Sequence, residues 1–166
     1  VLDVTRMEEG RMAMEPVRCY ADEIIHAAIE THYPILNKNH NRLEIRIESG
    51  LPAVSADPAR ISQVIVNLIS NAVRFTANGL ITVSARREGS NIAVCVKDTG
   101  TGINPERLPR IFERYSQKQK SGGGQDTGTG LGLYICKHIV EQHGGAIWIE
   151  SEEGRGTSVF FTLPVL

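Results

Sequence analysis

Apolar residues along the chain fall into stretches of two distinct periods. Residues 17–33 carry Ala21, Ile24, Ile25, Ala28 and Ile29 at helical spacing, with Pro34 just beyond, and predict a helix. Leu43, Ile45 and Ile47 alternate with Arg42, Glu44 and Arg46, the period of a half-buried strand. Asp57 followed by Pro58 supplies an N-cap and a proline at the first helical position. The helix opened there runs to about Phe75 through Ile61, Val64, Ile65, Leu68, Ile69 and Ala72. Two strands follow, 80–86 and 91–98, joined by a turn at Glu88, Gly89 and Ser90. From 99 to 129 no period is clear, and Gly122, Gly123 and Gly124 predict a mobile segment there. A further helix over 130–143 stops at Gly144 and Gly145. Strands 146–150 and 157–163, linked by a turn at Gly154, Arg155 and Gly156, close the sequence. The opening 1–15 reads as a helix end closed by Gly10 and a short extended piece. Helices alternating with hairpin-linked strands predict a two-layer α/β sandwich, its mixed and mostly antiparallel sheet covered on one face by helices.

Bulk properties narrow this picture only a little. The 166 residues suit one domain, and 41% apolar with 22% charged is ordinary for a globular chain. A net charge of −1 gives no basic surface for nucleic acid. Cys19, Cys95 and Cys136 form no CxxC pair, which argues for reduced thiols in a cytoplasmic setting. There is no secretory leader and no run of about 18 apolar residues, so this stretch is expected neither to span a membrane nor to be exported.

Three features carry candidate chemistry. Asp98 shares strand parity with Ile92, Val94 and Val96, so its carboxylate leaves on the buried face. Such a group is costly unless it is matched, either by a ligand donor or by a local turn with Thr99 to Gly102. Asn67, Asn71 and Arg74 form one stripe on the helix ending near Phe75. Two amides and a guanidinium suit a magnesium–phosphate group, although the stripe alone fits a solvated helix edge better. Gly128, Thr129, Gly130, Leu131, Gly132 and Leu133 open a helix, where amides and dipole favour phosphate, or where a flexible hinge suffices. No lysine follows at the spacing of a Walker loop.

Taken in order, these features resemble the histidine kinases within the GHKL superfamily, which includes gyrase, the heat-shock chaperone ATPases and the mismatch-repair ATPases. The stretch 64–76 resembles the N box, and 98–103 the first glycine box. Residues 111–115 (Ile-Phe-Glu-Arg-Tyr) are similar to the F box. Gly128 to Leu133 with Lys137 resembles the second glycine box, and Gly154 to Thr157 a final glycine turn. The resemblance runs from about residue 10 to the end. It implies the Bergerat ATP-binding fold, ATP and Mg2+ as cofactors, and phosphoryl transfer to a histidine.

The same resemblance assigns roles. Asp98 would bond the adenine amino group, Asn71 would be the main magnesium ligand with Asn67 assisting, and Phe75 would pack near the base. Gly100, Gly102 and Ile103 would approach the nucleotide, with Gly128, Thr129, Gly130, Leu131, Gly132 and Leu133 at the phosphates and Thr157 completing the set. The catalytic group is then Asn67, Asn71 and Arg74, where arginine offers a fork in place of the family's usual lysine. A lid over ATP would span about 113–127, with Gln117 where many relatives have arginine and Lys118 or Lys120 as nearby cations. The wording at Tyr115, Ser116 and Gln117 is similar to kinases of the hybrid type.

Where the ATPase relatives carry a water-activating glutamate, four residues before the magnesium asparagine, this chain has Asn67. An amide cannot take a proton, so a kinase is favoured over an ATPase. The five histidines, His26, His32, His40, His138 and His143, are none of them followed by an acid, as the phosphoacceptor usually is. They read as structural or surface residues. Residues 1–10 are therefore expected to be the tail of a dimerisation and phosphoacceptor hairpin, and 11–166 the catalytic domain. The implied partners are that missing domain, a response-regulator receiver domain and, for the parent protein, a second copy. The parent would be a membrane-associated sensor with this part in the cytoplasm. The competing readings are a regulatory nucleotide-binding module without transfer activity and, third, an ATPase.

Overall fold

Asp57 starts the longest helix much as its sequence requires. In the computed structural model, which describes residues 2–8, 12–36, 38–113 and 132–166, its carboxylate accepts the amides of Ala59 (3.1 Å) and Arg60 (3.3 Å). Pro58 follows as the first residue of that helix, whose first-turn amides would otherwise lack partners.

In chain order the elements are helix α1 (Leu2–Glu8), strand β1 (Val17–Cys19), helix α2 (Ala21–Leu36), strands β2 (Arg42–Ile47) and β3 (Val54–Ala56), and helix α3 (Pro58–Phe75). Strands β4 (Leu80–Glu88) and β5 (Asn91–Asp98), helix α4 (Gly132–Gln142) and strands β6 (Ile147–Glu152) and β7 (Gly156–Pro164) complete the fold. The main sheet has the order β2-β4-β5-β7-β6, and only the β2–β4 pair is parallel. Helix α3 packs between α2 and α4 and against β4 and β5, so the helices form one layer over one sheet face. Alternation decides which strand residues meet them: Ile81, Val83 and Ala85 on β4, Ile92, Val94 and Val96 on β5, and Val159, Phe161 and Leu163 on β7 are all buried. On the opposite face Trp148 stacks on Phe160, with ring centroids 5.3 Å apart. The predicted mixed, mostly antiparallel sandwich is the fold observed.

Two departures lie near the start. Residues 17–19, expected in the helix, form β1 and pair antiparallel with β3, Val17 opposite Ala56 and Cys19 opposite Val54. The β-branched Val17 favours extended backbone, and the acidic first turn at Asp22 and Glu23 marks the true helix start. Pro34, expected beyond the helix, lies inside its last turn. The hydrogen bond it removes would have ended on the carbonyl of Glu30, an exposed residue where water can replace it.

A polar node then ties three distant segments together. The second carboxylate oxygen of Asp57 accepts the Glu15 amide (3.0 Å), and the Asp57 amide donates to His143 Nε2 (3.0 Å). His143 Nε2 is thus an acceptor, so its ring proton sits on Nδ1 and is donated to the Ile139 carbonyl (2.7 Å). His143 is structural, as read from the sequence. Asp57→Ala removes the cap and orphans the Glu15 amide; a loss of about 1–2 kcal/mol in urea-denaturation stability is expected. A change below a few tenths of a kcal/mol would show that the node contributes little.

Candidate functional site

The C-terminal half of α3, the end of β5, the loop after it and the β6–β7 hairpin converge on one pocket. Its walls are largely apolar, with Leu68 and Ala72 from α3, Val96 from β5, and Ile149 and Val159 from the hairpin. Ile111 and Leu133 close another side, and Arg107 stands at its edge. Counted out to the open mouth, the cleft holds about 630 Å3.

Asp98 is the charged group in this apolar setting, and it is 7% exposed. One carboxylate oxygen, Oδ1, accepts the amides of Gly100 (2.9 Å) and Thr157 (3.3 Å). The local-turn reading of Asp98 is the one seen, and the same side chain lines the pocket. It caps the local turn and it reaches the pocket. Its second oxygen, Oδ2, has no hydrogen-bond donor among the described residues, so one acceptor remains open. Burial pushes the pKa of Asp98 up; the Gly100 and Thr157 amides and the nearby Thr76 hydroxyl oppose that shift. The Thr76 hydroxyl does not reach hydrogen-bond geometry and is itself buried without a partner. An open acceptor beside an unpaired hydroxyl leaves the floor short of a polar ligand.

Among the described residues, the structure brings most of the expected ones together and separates a few. Asn71, Phe75, Asp98, Gly102, Ile103, Leu133 and Thr157 line this one pocket. Asn67 lies one helical turn from Asn71 and outside the wall. Its Nδ2 donates to Cys136 Sγ (3.8 Å) on α4, and a Cβ on Gly132 would lie 3.9 Å from its Cγ. Arg74 places its guanidinium 5.9 Å from the ring centroid of half-exposed Phe75. Gly128, Thr129, Gly130 and Leu131 lie outside the described residues, as does the expected lid beyond Glu113. From the F box, Phe112 packs under Lys137 Nζ, 5.9 Å from the ring centroid, which joins it to α4.

The first glycine box also has a physical reason in the packing of the fold itself. A Cβ on Gly100 would collide with the Phe75 carbonyl, and one on Gly102 with the Glu152 carbonyl. Gly102 also has φ +70°. These glycines let the loop nest between the end of α3 and the hairpin, close to the protein's own backbone. Sequence reasoning also missed Arg107, Thr76 and Ser151. Arg107 sits in a stretch without period, before a short 3-10 turn at Leu108–Arg110. Thr76 stood inside the N-box stretch with no role given. Ser151 pairs with Thr157 across β6 and β7, a register that a sequence alone leaves open.

A family model for the histidine kinase-, DNA gyrase B- and HSP90-like ATPases matches residues 56–166, the segment that builds this pocket. The chain belongs to that family. Within it, the chain is an ATP-binding domain of the histidine-kinase type. Sensor histidine kinase RcsC of Escherichia coli (strain K12) is 32% identical over 166 residues, covering 99% of this chain and 18% of RcsC. The crystal structure of full-length ShkA in complex with AMPPNP matches with a TM-score of 0.86 at 27% identity, over 99% of this chain and 34% of ShkA. Histidine kinase ThkA, solved with the response regulator protein TrrA, matches with a TM-score of 0.76 at 25% identity, over 99% of this chain and 47% of ThkA. The chain thus spans about a fifth of RcsC and a third of ShkA. Among the described residues no helix is long and apolar enough to cross a membrane.

Proposed function

We propose that this domain binds magnesium-ATP and transfers the γ-phosphoryl group to a histidine of a dimerisation domain outside these 166 residues. The observation that carries the reading is the open Oδ2 of Asp98 at the floor of an apolar pocket. A carboxylate that is already capped by two amides and still presents an acceptor suits the exocyclic amino group of adenine. The aliphatic walls and Phe75 suit the faces of the base. Asn71 on the same wall, and Asn67 one turn away, offer neutral oxygen donors toward the phosphates. Such donors fit magnesium, which keeps most of its water and takes few protein ligands. Bound there, magnesium would neutralise charge on the β- and γ-phosphates. The start of α4 at Gly132 and Leu133 would turn its amides and positive dipole end toward the same phosphates, and Arg74 would add a cation.

Asn67 separates transfer to histidine from hydrolysis. Its amide group cannot accept a proton, and its Nδ2 is already engaged with Cys136. Water would lack a general base there, whereas an imidazole brings its own lone pair and needs only in-line placement and charge neutralisation. Residues 1–10 are read as the tail of the acceptor hairpin, from a homodimeric, membrane-associated sensor with this domain in the cytoplasm. A response-regulator receiver domain would take the phosphoryl group next, a reading supported by the ThkA–TrrA complex.

The test is phosphoryl transfer from γ-labelled ATP to a supplied dimerisation hairpin. Acid-labile, base-stable label on the hairpin is expected, and Asn71→Ala should abolish it while magnesium-free ATP binding changes little. ATP binding without transfer to any competent hairpin would favour a regulatory nucleotide module. Robust hydrolysis by the domain alone, lost in Asn71→Ala, would favour an ATPase.

A further inference from the structure

Ser151, next to the last residue of β6, reaches three parts of the pocket floor. Its Oγ accepts the Ile103 amide (2.9 Å), lies 3.0 Å from the Gly156 carbonyl oxygen, and lies 2.8 Å from the Thr157 hydroxyl. A serine hydroxyl has one proton and two lone pairs. The carbonyl can only accept, so the Ser151 proton goes to Gly156. The Ile103 amide takes one lone pair, and the Thr157 hydroxyl must then donate to the other. The single proton of Thr157 is thereby committed, and its oxygen meets the pocket as an acceptor only.

Asp98 faces the same pocket with the same polarity. Its Oδ1 is filled by the Gly100 and Thr157 amides, and Oδ2 is an open acceptor. Two acceptors side by side complement an amino group and oppose a carbonyl oxygen. We propose that Ser151 is a positioning residue for base selection: by holding the proton of Thr157, it leaves Thr157 an acceptor beside the acceptor of Asp98 and so favours a 6-aminopurine over a 6-oxopurine nucleotide. This inference rests on the nucleotide reading above. Ser151 touches no ligand itself; it acts through Thr157 and through the backbone of Ile103.

Calorimetric titration of the 166-residue chain with ATP and with inosine triphosphate isolates the effect, because the two differ at the 6-position edge of the base. The wild type is expected to prefer ATP. Ser151→Ala frees the Thr157 hydroxyl to donate, and the preference should narrow about three- to tenfold, the scale of one neutral hydrogen bond. Ser151→Thr, which keeps the hydroxyl, should restore it. In a Thr157→Val background there is no proton to hold, so adding Ser151→Ala should leave the ratio of the two affinities unchanged. Equal weakening of both nucleotides by Ser151→Ala would overturn the proposal, as would the same narrowing in the Thr157→Val background. If Ser151→Ala does not fold, Thr157→Val alone carries the test, since an unchanged ratio there removes Thr157 from base selection. A wild type that binds ATP no better than inosine triphosphate also overturns it. Absence of any nucleotide binding defeats instead the reading on which it rests.

Discussion

Asp98→Asn is expected to weaken ATP binding by about ten- to a hundredfold while leaving the empty domain at least as stable as the wild type. The affinity loss follows from polarity. The asparagine Oδ1 can keep the amides of Gly100 and Thr157, so its Nδ2 replaces the open carboxylate oxygen and presents a donor to the donor amino group of adenine. Losing a charged hydrogen bond of this kind costs about 1.5–3 kcal/mol, which is that range of affinity. The stability half follows from linkage. Burial raises the pKa of Asp98 in the folded domain above its ordinary 3.8, so the folded state holds this proton more tightly than the unfolded chain. Stability is therefore lost as pH rises from the ordinary value through the folded one, and at neutral pH the ionised group is a cost. The substitution removes that cost. Thermal melts of the empty domain from pH 4 upward should show the wild type losing the Asp98 contribution as pH rises, and the variant lacking it. A variant that melts well below the wild type at pH 7 would mean that the two amides need a charged acceptor. One that binds ATP normally would remove Asp98 from the site.

How far the sequence carried can be argued from particular residues. The α3 helix was legible because each of its signals is local. Asp57 and Pro58 fix the start, and Ile61, Val64, Ile65, Leu68, Ile69 and Ala72, chosen by period alone, are all buried. Asp98 was legible for the same reason, since strand parity is a local property. The β1–β3 pair was not, because three residues are too few for a period to register and the partners lie 35 or more positions apart. Asn67 shows the same limit in the site. Its place on the helix face followed from spacing, but the Cys136 sulfur that receives its amide is 69 residues away. Ser151 and Thr157 needed the β6–β7 register, which a one-residue slip would have inverted. The glycine box was recognised, but its close packing on the protein's own backbone was not. A glycine in a sequence reports that something comes close, and only the fold says that here it is the carbonyls of Phe75 and Glu152.

Gly156→Ala should be a severe single-methyl substitution, costing about 2–4 kcal/mol and lowering the melting temperature by roughly 5–15 °C. Gly156 opens β7 with φ +124°, a conformation that L side chains rarely adopt. A Cβ there would collide with the Asp98 carbonyl and lie 3.0 Å from Thr99 Cα. Both neighbours are backbone, so no side-chain rotamer can relieve the contact. Relief requires β7 to move off the end of β5, and that is where Thr157 pairs with Asp98. The shift would draw the Thr157 amide from Asp98 Oδ1 and the Gly156 carbonyl from Ser151, so the pocket floor opens along with the strand end. Stability and ATP affinity should therefore fall together, unlike Asp98→Asn, in which they part. Gly154→Ala, two residues earlier, is the matched comparison. It also has positive φ, at +83°, but nothing lies within 4 Å of its added Cβ, so only the smaller backbone strain of about 1 kcal/mol applies. Denaturation midpoints and calorimetry on the two variants separate the effects. Equal losses at 154 and 156 would assign the damage to turn strain alone and remove the Asp98–Gly156 packing as the element that holds the floor of the site.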